Sequence, residues 1–192
     1  ERTSKDQLQD IPPNTVVRRA FALDAARHLS IGGRYIGATA RPDRWVSWRF
    51  DGVRQGLKLI REMAPLAIWS TYPFATAHSI GGELARRTGL PWIADFRDPM
   101  AQPEYPTDPI TRAQFLRIEA DVVRHANLSV FTTPSAADEY RRRYPEVAHR
   151  IVVVENGYDE ETFIQANEMV ARGPLHAEGI TLLHSGIVYP SE

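Results

Sequence analysis

Residues 91–100 read PWIADFRDPM, and this stretch decides the fold. Trp92, Ile93 and Ala94 are apolar and follow Pro91, as a buried strand does after a punctuating residue. Then Asp95, Arg97 and Asp98 place three charges in four positions around Phe96, and Pro99 seals the run. An apolar strand that ends in dense charge fits an open parallel sheet, whose ligand-facing groups stand beyond the carboxyl ends of its strands.

The same rhythm continues in both directions. LAIWSTYP (66–73), LSVFTTP (128–134) and RIVVVENG (150–157) are further short apolar runs rich in β-branched or aromatic residues. Helical patterns separate them. In residues 43–64 the apolar positions 45, 48, 53, 57, 60 and 64 share one helical face, and Pro65 ends it. A second helix runs to about Thr88 with Ala77, Ile80 and Leu84 on one stripe, then Gly89 and Pro91 as stop signals. Asp108-Pro109 suits an N-cap with Pro at the first helical position, ahead of the stripe Phe115, Ile118, Val122 and Ala126. SAADEYRRRY (135–144) predicts a helix capped by Ser135, with Asp138 at its third position. Strands alternating with helices predict an α/β fold: a doubly wound, Rossmann-like parallel sheet with helices on both faces.

Outside this core the pattern loosens. Residues 1–12 are polar and read as a lead-in, TVVRRAFAL (15–23) as an extended segment, and 31–42 as loop. The expected domains are 1–164, a linker at 165–179, and 180–192 as the first strand of a second domain, since ITLLHSGIVY restarts an apolar run. The chain lacks an initiator Met and reads as a fragment.

The 192 residues are 43% hydrophobic and 24% charged, ordinary for a globular protein, and the formal net charge is −1. That balance supplies no overall drive toward nucleic acid. There are no cysteines, hence no disulfides or thiolate metal sites. No apolar run approaches the ~20 residues of a membrane span. P-loop, G-x-G-x-x-G, G-x-S-x-G and H-E-x-x-H motifs are all absent, so neither a metal site nor a bound cofactor is predicted.

The strand ends therefore carry the functional signal. Ser70, Thr71 and Tyr72 follow the first strand, with His78 in the first turn of the next helix; Asp95, Arg97 and Asp98 follow the second. Thr132, Thr133 and Ser135 follow the third, and Glu155, Asn156 and Gly157 the fourth. A histidine at a helix start can donate to a sugar hydroxyl or a phosphate, and is expected to point into a cleft near Asp95 or Arg97. Equally it can be a capping or surface histidine. The charges of DFRDP can serve a ligand or close an internal salt bridge. Asn156-Gly157 suits a positive-φ turn. Arg141 to Arg143 reads as a solvated helix face or a phosphate-facing patch.

The ordered series IWSTYPFATAHSIGGELARRTGLPWIADFRDP (68–99), RIEADVVRHAN (117–127), VFTTPSA (130–136), IVVVENGYDEETF (151–163) and LLHSGIVY (182–189) resembles the group-1 glycosyltransferases of glycosyltransferase family 4. The similarity runs over residues 41–190. It implies a retaining enzyme of the GT-B fold, of which this chain is the N-terminal, acceptor-side half with a stub of the donor domain. By that resemblance His78 corresponds to the catalytic-site histidine facing the donor sugar, and Asp95, Arg97 and Asp98 to the loop beside it. Asn156 and Gly157 correspond to the turn closing the last N-domain strand, and Gly186 to the glycine near the donor phosphates. The family's first strand would precede Glu1 and its donor-gripping residues would follow Glu192, so the fragment alone is expected to be inactive.

The implied partners are a nucleotide-sugar donor, used as substrate rather than cofactor, and a sugar or lipid-linked acceptor, with no nucleic acid. The implied setting is glycan or cell-surface polysaccharide synthesis in the cytoplasm, compatible with peripheral association at the inner membrane face. Two alternatives stay open: a nucleotide-sugar epimerase of similar fold, and a non-catalytic sugar- or nucleotide-binding module.

Overall fold

Trp92, Ala94 and Phe96 alternate inward along one strand, and the sheet is built around that strand. The computed structural model describes residues 11–30, 32, 37–103, 105–169, 179–182 and 184. Its helices are α1 (Ala25–His28), α2 (Trp48–Met63), α3 (Ala75–Thr88), α4 (Pro109–His125), α5 (Pro134–Arg143) and α6 (Glu160–Met169). Its strands are β1 (Ile68–Thr71), β2 (Trp92–Arg97), β3 (Leu128–Phe131) and β4 (Ile151–Val153). All pairings are parallel, in the order β1-β2-β3-β4. The fold is thus α/β, a parallel sheet flanked by helices.

Successive crossovers of one hand, in strands laid down in sequence order, put every connecting helix on the same side. Accordingly α3, α4 and α5 pack on the face that carries Ile68, Ser70, Trp92, Ala94, Phe96, Ser129, Phe131 and Ile151. Helices on both faces were expected. On the opposite face Trp69 remains 56% and Leu128 38% exposed.

The core is aromatic at its centre. Phe96 stacks on Phe131 at 5.1 Å, and Tyr140 of α5 closes on both rings at 5.3 and 4.4 Å. Beside it α2 meets α3 through Gly52 and Gly56. A Cβ on either would stand 2.6 Å from Ile80 Cδ1 or Leu84 Cδ1, so the end of that side chain would have to turn aside to admit it.

Helix ends follow local chemistry. Asp108 caps α4, its side chain accepting from Thr111 N at 2.9 Å, with Pro109 at the first position as expected. α3 ends on Gly89 at φ 71°. The cap of α5 is Thr133, not Ser135: its hydroxyl accepts from Ala136 N at 3.3 Å, and Pro134, which needs no donor partner, takes the first helical position. α2 starts at Trp48 instead of 43, because Asp43 is used in a turn, accepting from Trp45 N and Thr76 N. Residues 15–23 are not a strand. Their backbone is held by side chains instead, Phe21 N donating to Asp51 and Leu23 N to Ser47 Oγ.

The chain divides into two units, Glu1–Glu155 and Asn156–Glu192. The second contains α6, which occupies the start of the expected linker; residues 170–178 lie outside the described residues. The strand expected from Ile180 is not formed at 180–182 or 184, and its other positions are outside the described residues.

Candidate functional site

The carboxyl edge of β2 contains the most strained backbone of the sheet. Between Asp95 and Arg97 the pairing with β3 slips, so that three residues of β2 face Val130 and Phe131. Arg97 then takes φ 58°, a left-handed conformation unusual for a residue with a Cβ. Asp98 N donates to Phe96 O at 2.6 Å and closes a tight three-residue turn around it. Thr132 fixes the result, donating to Arg97 O from its backbone N at 3.1 Å and from its hydroxyl at 2.9 Å. Such strain persists only where the surroundings enforce it, and it concentrates at binding and catalytic sites.

The bulge turns the side chains outward. Arg97 and Asp98 are both exposed, and neither makes an ion pair among the described residues. The alternative of an internal salt bridge within DFRDP is therefore not realised. Asp95 is instead held by Thr71, whose hydroxyl donates to Asp95 Oδ2 at 2.8 Å across the β1–β2 edge. Tyr72 N donates to Asp95 O at 2.9 Å, which locks the same corner. Thr71, Asp95, Arg97 and Asp98 thus lie along one strained edge, offering a hydroxyl, two carboxylates and a guanidinium. Tyr72 joins them only through its backbone. Its ring is buried, and burial raises its hydroxyl pKa well above the usual tyrosine range.

His78 does not reach this edge. It was expected to point into a cleft beside Asp95 or Arg97, yet its side chain is fully buried. The first turn of α3 rests on the sheet, and its helical phase turns position 78 inward together with Ala75 and Gly82. The ring lies 4.9 Å from Phe96 and 6.5 Å from Tyr72, and Nδ1 is 2.8 Å from Ser70 Oγ. Ser70 Oγ accepts the Trp92 indole N–H at 2.8 Å, so its own hydrogen is free to go to His78 Nδ1. The ring is then the Nε2–H tautomer. Burial lowers its pKa to about 4, so it is neutral at pH 7. A ring with no exposed surface cannot touch a donor sugar.

Asn156 and Gly157 belong to the second unit and are exposed. Neither has the positive φ expected of them: among the described residues the positive-φ glycines are Gly32 and Gly89. Gly186 lies outside the described residues.

Sequence reasoning missed a buried carboxylate. Glu119 of α4 is fully enclosed and accepts from Tyr144 Oη at 2.8 Å, Arg143 Nη1 at 2.6 Å, Ala101 N at 3.2 Å and the Tyr140 hydroxyl. Tyr140 Oη in turn accepts from Met100 N at 2.9 Å. The network ties the loop after Asp98 to α4 and α5 and so steadies the strained edge from behind. Arg143 is consequently not part of a solvated face. The signal was present, since position 119 falls four after Phe115 and three before Val122 on the apolar stripe.

Among the described residues no group of three or more His, Asp or Glu side chains stands close enough to hold a metal, and no helix is long and apolar enough to cross a membrane.

No curated protein matches the chain. A crystal structure of UDP-N-acetylglucosamine 2-epimerase shares 15% identity at a TM-score of 0.41, over 64% of this chain and 36% of that one. The chain therefore spans about a third of that protein's length. The profile of the glycosyl transferase 4-like domain matches residues 12–157, from the lead-in to the end of the sheet. The chain belongs to the glycosyl transferase 4-like family.

Proposed function

We propose that the chain is the acceptor-side part of a glycosyltransferase, which moves a sugar from a nucleotide-sugar to an acceptor with retention of anomeric configuration. The observation that carries this reading is the outward-turned Arg97 and Asp98 on the bulged edge of β2, backed by Thr71 and Asp95. A sugar ring needs dense donors and acceptors to replace its water, and a guanidinium beside carboxylates supplies both. Strain held at this one corner fits a preorganised binding edge. Membership of the family points to the same class of reaction. The acceptor is a sugar or a lipid-linked sugar, and glycan or cell-surface polysaccharide synthesis at the cytoplasmic face is the setting this implies.

The test is a screen of nucleotide-sugar donors against acceptors with the full-length protein, following nucleotide release and the anomeric configuration of the product by NMR. Acceptor-dependent release with retention is the expected result, and Arg97→Ala should lower kcat/KM by about 10²-fold. Conversion of the nucleotide-sugar to its epimer without any acceptor would replace the transferase reading with an epimerase. Binding without turnover, across all donors, would leave a sugar-binding module.

A further inference from the structure

The outer surface of α2 is basic and carries an exposed aromatic ring. With 3.6 residues per turn, Phe50, Arg54, Leu57, Lys58 and Arg61 fall within an arc of about 100°. That arc lies opposite Gly52 and Gly56, through which α2 meets α3. Phe50 is 81% exposed, and Val16, Val17 and Phe21 are exposed in the segment alongside. Apolar side chains gathered among charges on a surface mark a place of interaction.

The neighbouring elements add to the same charge. Residues 15–23 run beside α2, tied to it by Phe21 N donating to Asp51 and by the Arg18–Glu62 pair at 3.4 Å. Together residues 15–23, α2 and α3 hold eight Arg and Lys against three Asp and Glu, a net of +5. The whole chain has a net charge of −1, so the rest of it stands at −6. Two of the three carboxylates are drawn in: the side chains of Asp51 and Glu83 are 16% and 13% exposed, against 73% for Arg54 and 59% for Lys58. Glu83 is shared among Arg49, Arg86 and Arg87, and Glu62 between Arg18 and Lys58. Arg19 and Arg61 have no ion pair among the described residues. Beside Phe50 a groove of about 430 Å³ is lined by Val53 and Leu57 together with Arg49, Arg54, Arg87 and Glu83.

Cations around a protruding apolar ring match an anionic lipid surface. Lipid phosphates attract the guanidinia and the ammonium, and the ring gains by entering the apolar boundary beneath them. A nucleic acid backbone would use the charge but offers nothing to Val16, Val17 and Phe21. We propose that the outer face of α2, with residues 16–21 beside it, docks on an anionic phospholipid bilayer. Phe50 enters the headgroup layer, and Arg54, Lys58 and Arg61 meet lipid phosphates, so that α2 lies along the membrane plane. This surface shares no residue with the Arg97 edge, and the proposal does not rest on the transferase reading.

Flotation of the full-length protein with vesicles tests it, using phosphatidylcholine alone or with about a third phosphatidylglycerol. Binding is expected to the anionic vesicles and not to the neutral ones, and it should weaken as salt rises from about 0.05 to 0.5 M. Phe50→Ser and the double variant Lys58→Glu/Arg61→Glu, all at exposed positions, should each weaken it about 10-fold or more. Arg142→Glu, an exposed position on α5, should leave it unchanged. Failure to float with anionic vesicles at low salt would overturn the proposal, as would equal binding to neutral ones. So would flotation indifferent to both α2 variants, or an equal loss in Arg142→Glu. Tighter binding of a poly(U) oligonucleotide than of the anionic vesicles, lost in Lys58→Glu/Arg61→Glu but kept in Phe50→Ser, would replace the membrane by a nucleic acid. If Phe50→Ser fails to fold, the double variant decides alone.

Discussion

His78 Nδ1 lies 2.8 Å from Ser70 Oγ, and Ser70 also receives the indole N–H of Trp92, so Ser70 links the other two polar side chains inside the core. The pair joins α3 to β1 at the point where the helix rests on the sheet.

Its first consequence is a dependence of stability on pH. The folded-state pKa of about 4 lies below the ordinary histidine value of 6.5. Between those values the unfolded chain binds a proton that the folded chain refuses. Stability from this group is therefore fully present above pH 6.5 and is lost as pH falls toward 4, by about 3 kcal/mol in total. Denaturant titrations at pH 7 and pH 4.5 should show a clearly larger drop for the wild type than for His78→Gln. Equal drops would mean that the imidazole is not buried neutral.

Glu119 should behave as a structural anchor. Its carboxylate faces four donors, from Tyr140, Tyr144, Arg143 and Ala101. Glu119→Gln replaces an acceptor by an amide that points its own hydrogens at those donors and leaves Arg143 with Glu139 alone as its ion-pair partner. Loss of about 3 kcal/mol in unfolding free energy is expected. Tyr140→Phe should cost less, about 1–2 kcal/mol, and the two together should fall short of the sum, because they share one network. Additive losses would contradict the network.

Gly81 has no room for a side chain. A Cβ there would meet Ser70 Cβ at 2.9 Å and Trp92 Nε1 at 2.7 Å, and Ser70 Cβ is fixed to the strand backbone. Gly81→Ala should destabilise by about 1–3 kcal/mol although alanine is the better helix former. Gly157→Ala, where nothing lies within 4 Å, should be close to neutral and serves as the control. Thermal melts of the two variants would decide it; a stabilised Gly81→Ala would show that α3 can lift from the sheet.

Arg97→Gly separates strain from chemistry. Glycine adopts φ 58° without the Cβ clash, so the folded state should gain up to about 1 kcal/mol. If Arg97 binds the substrate, the same change should lower kcat/KM by about 10²-fold in the full-length enzyme. A variant both more stable and fully active would remove Arg97 from the site.

Much of this was legible in the chain itself. The elements follow from short-range chemistry: apolar runs of four to six residues, Asp108-Pro109 at a helix start, Gly89 and Pro91 at a stop. Parallel pairing follows from the alternation of those elements, and the edge formed by Thr71, Asp95, Arg97 and Asp98 follows from where parallel strands end. What the sequence could not express was direction. Whether His78 faces a cleft or the core depends on the phase of one helical turn, about 100° per residue, which only packing against Trp92 and Phe96 settles. Likewise a single bulge at Phe96 decides that Arg97 turns outward with positive φ rather than pairing with its neighbouring carboxylates. The Glu119 network joins residues about twenty positions apart, and no local pattern encodes such meetings. They exist because close packing of helices on a sheet brings those side chains within hydrogen-bonding reach.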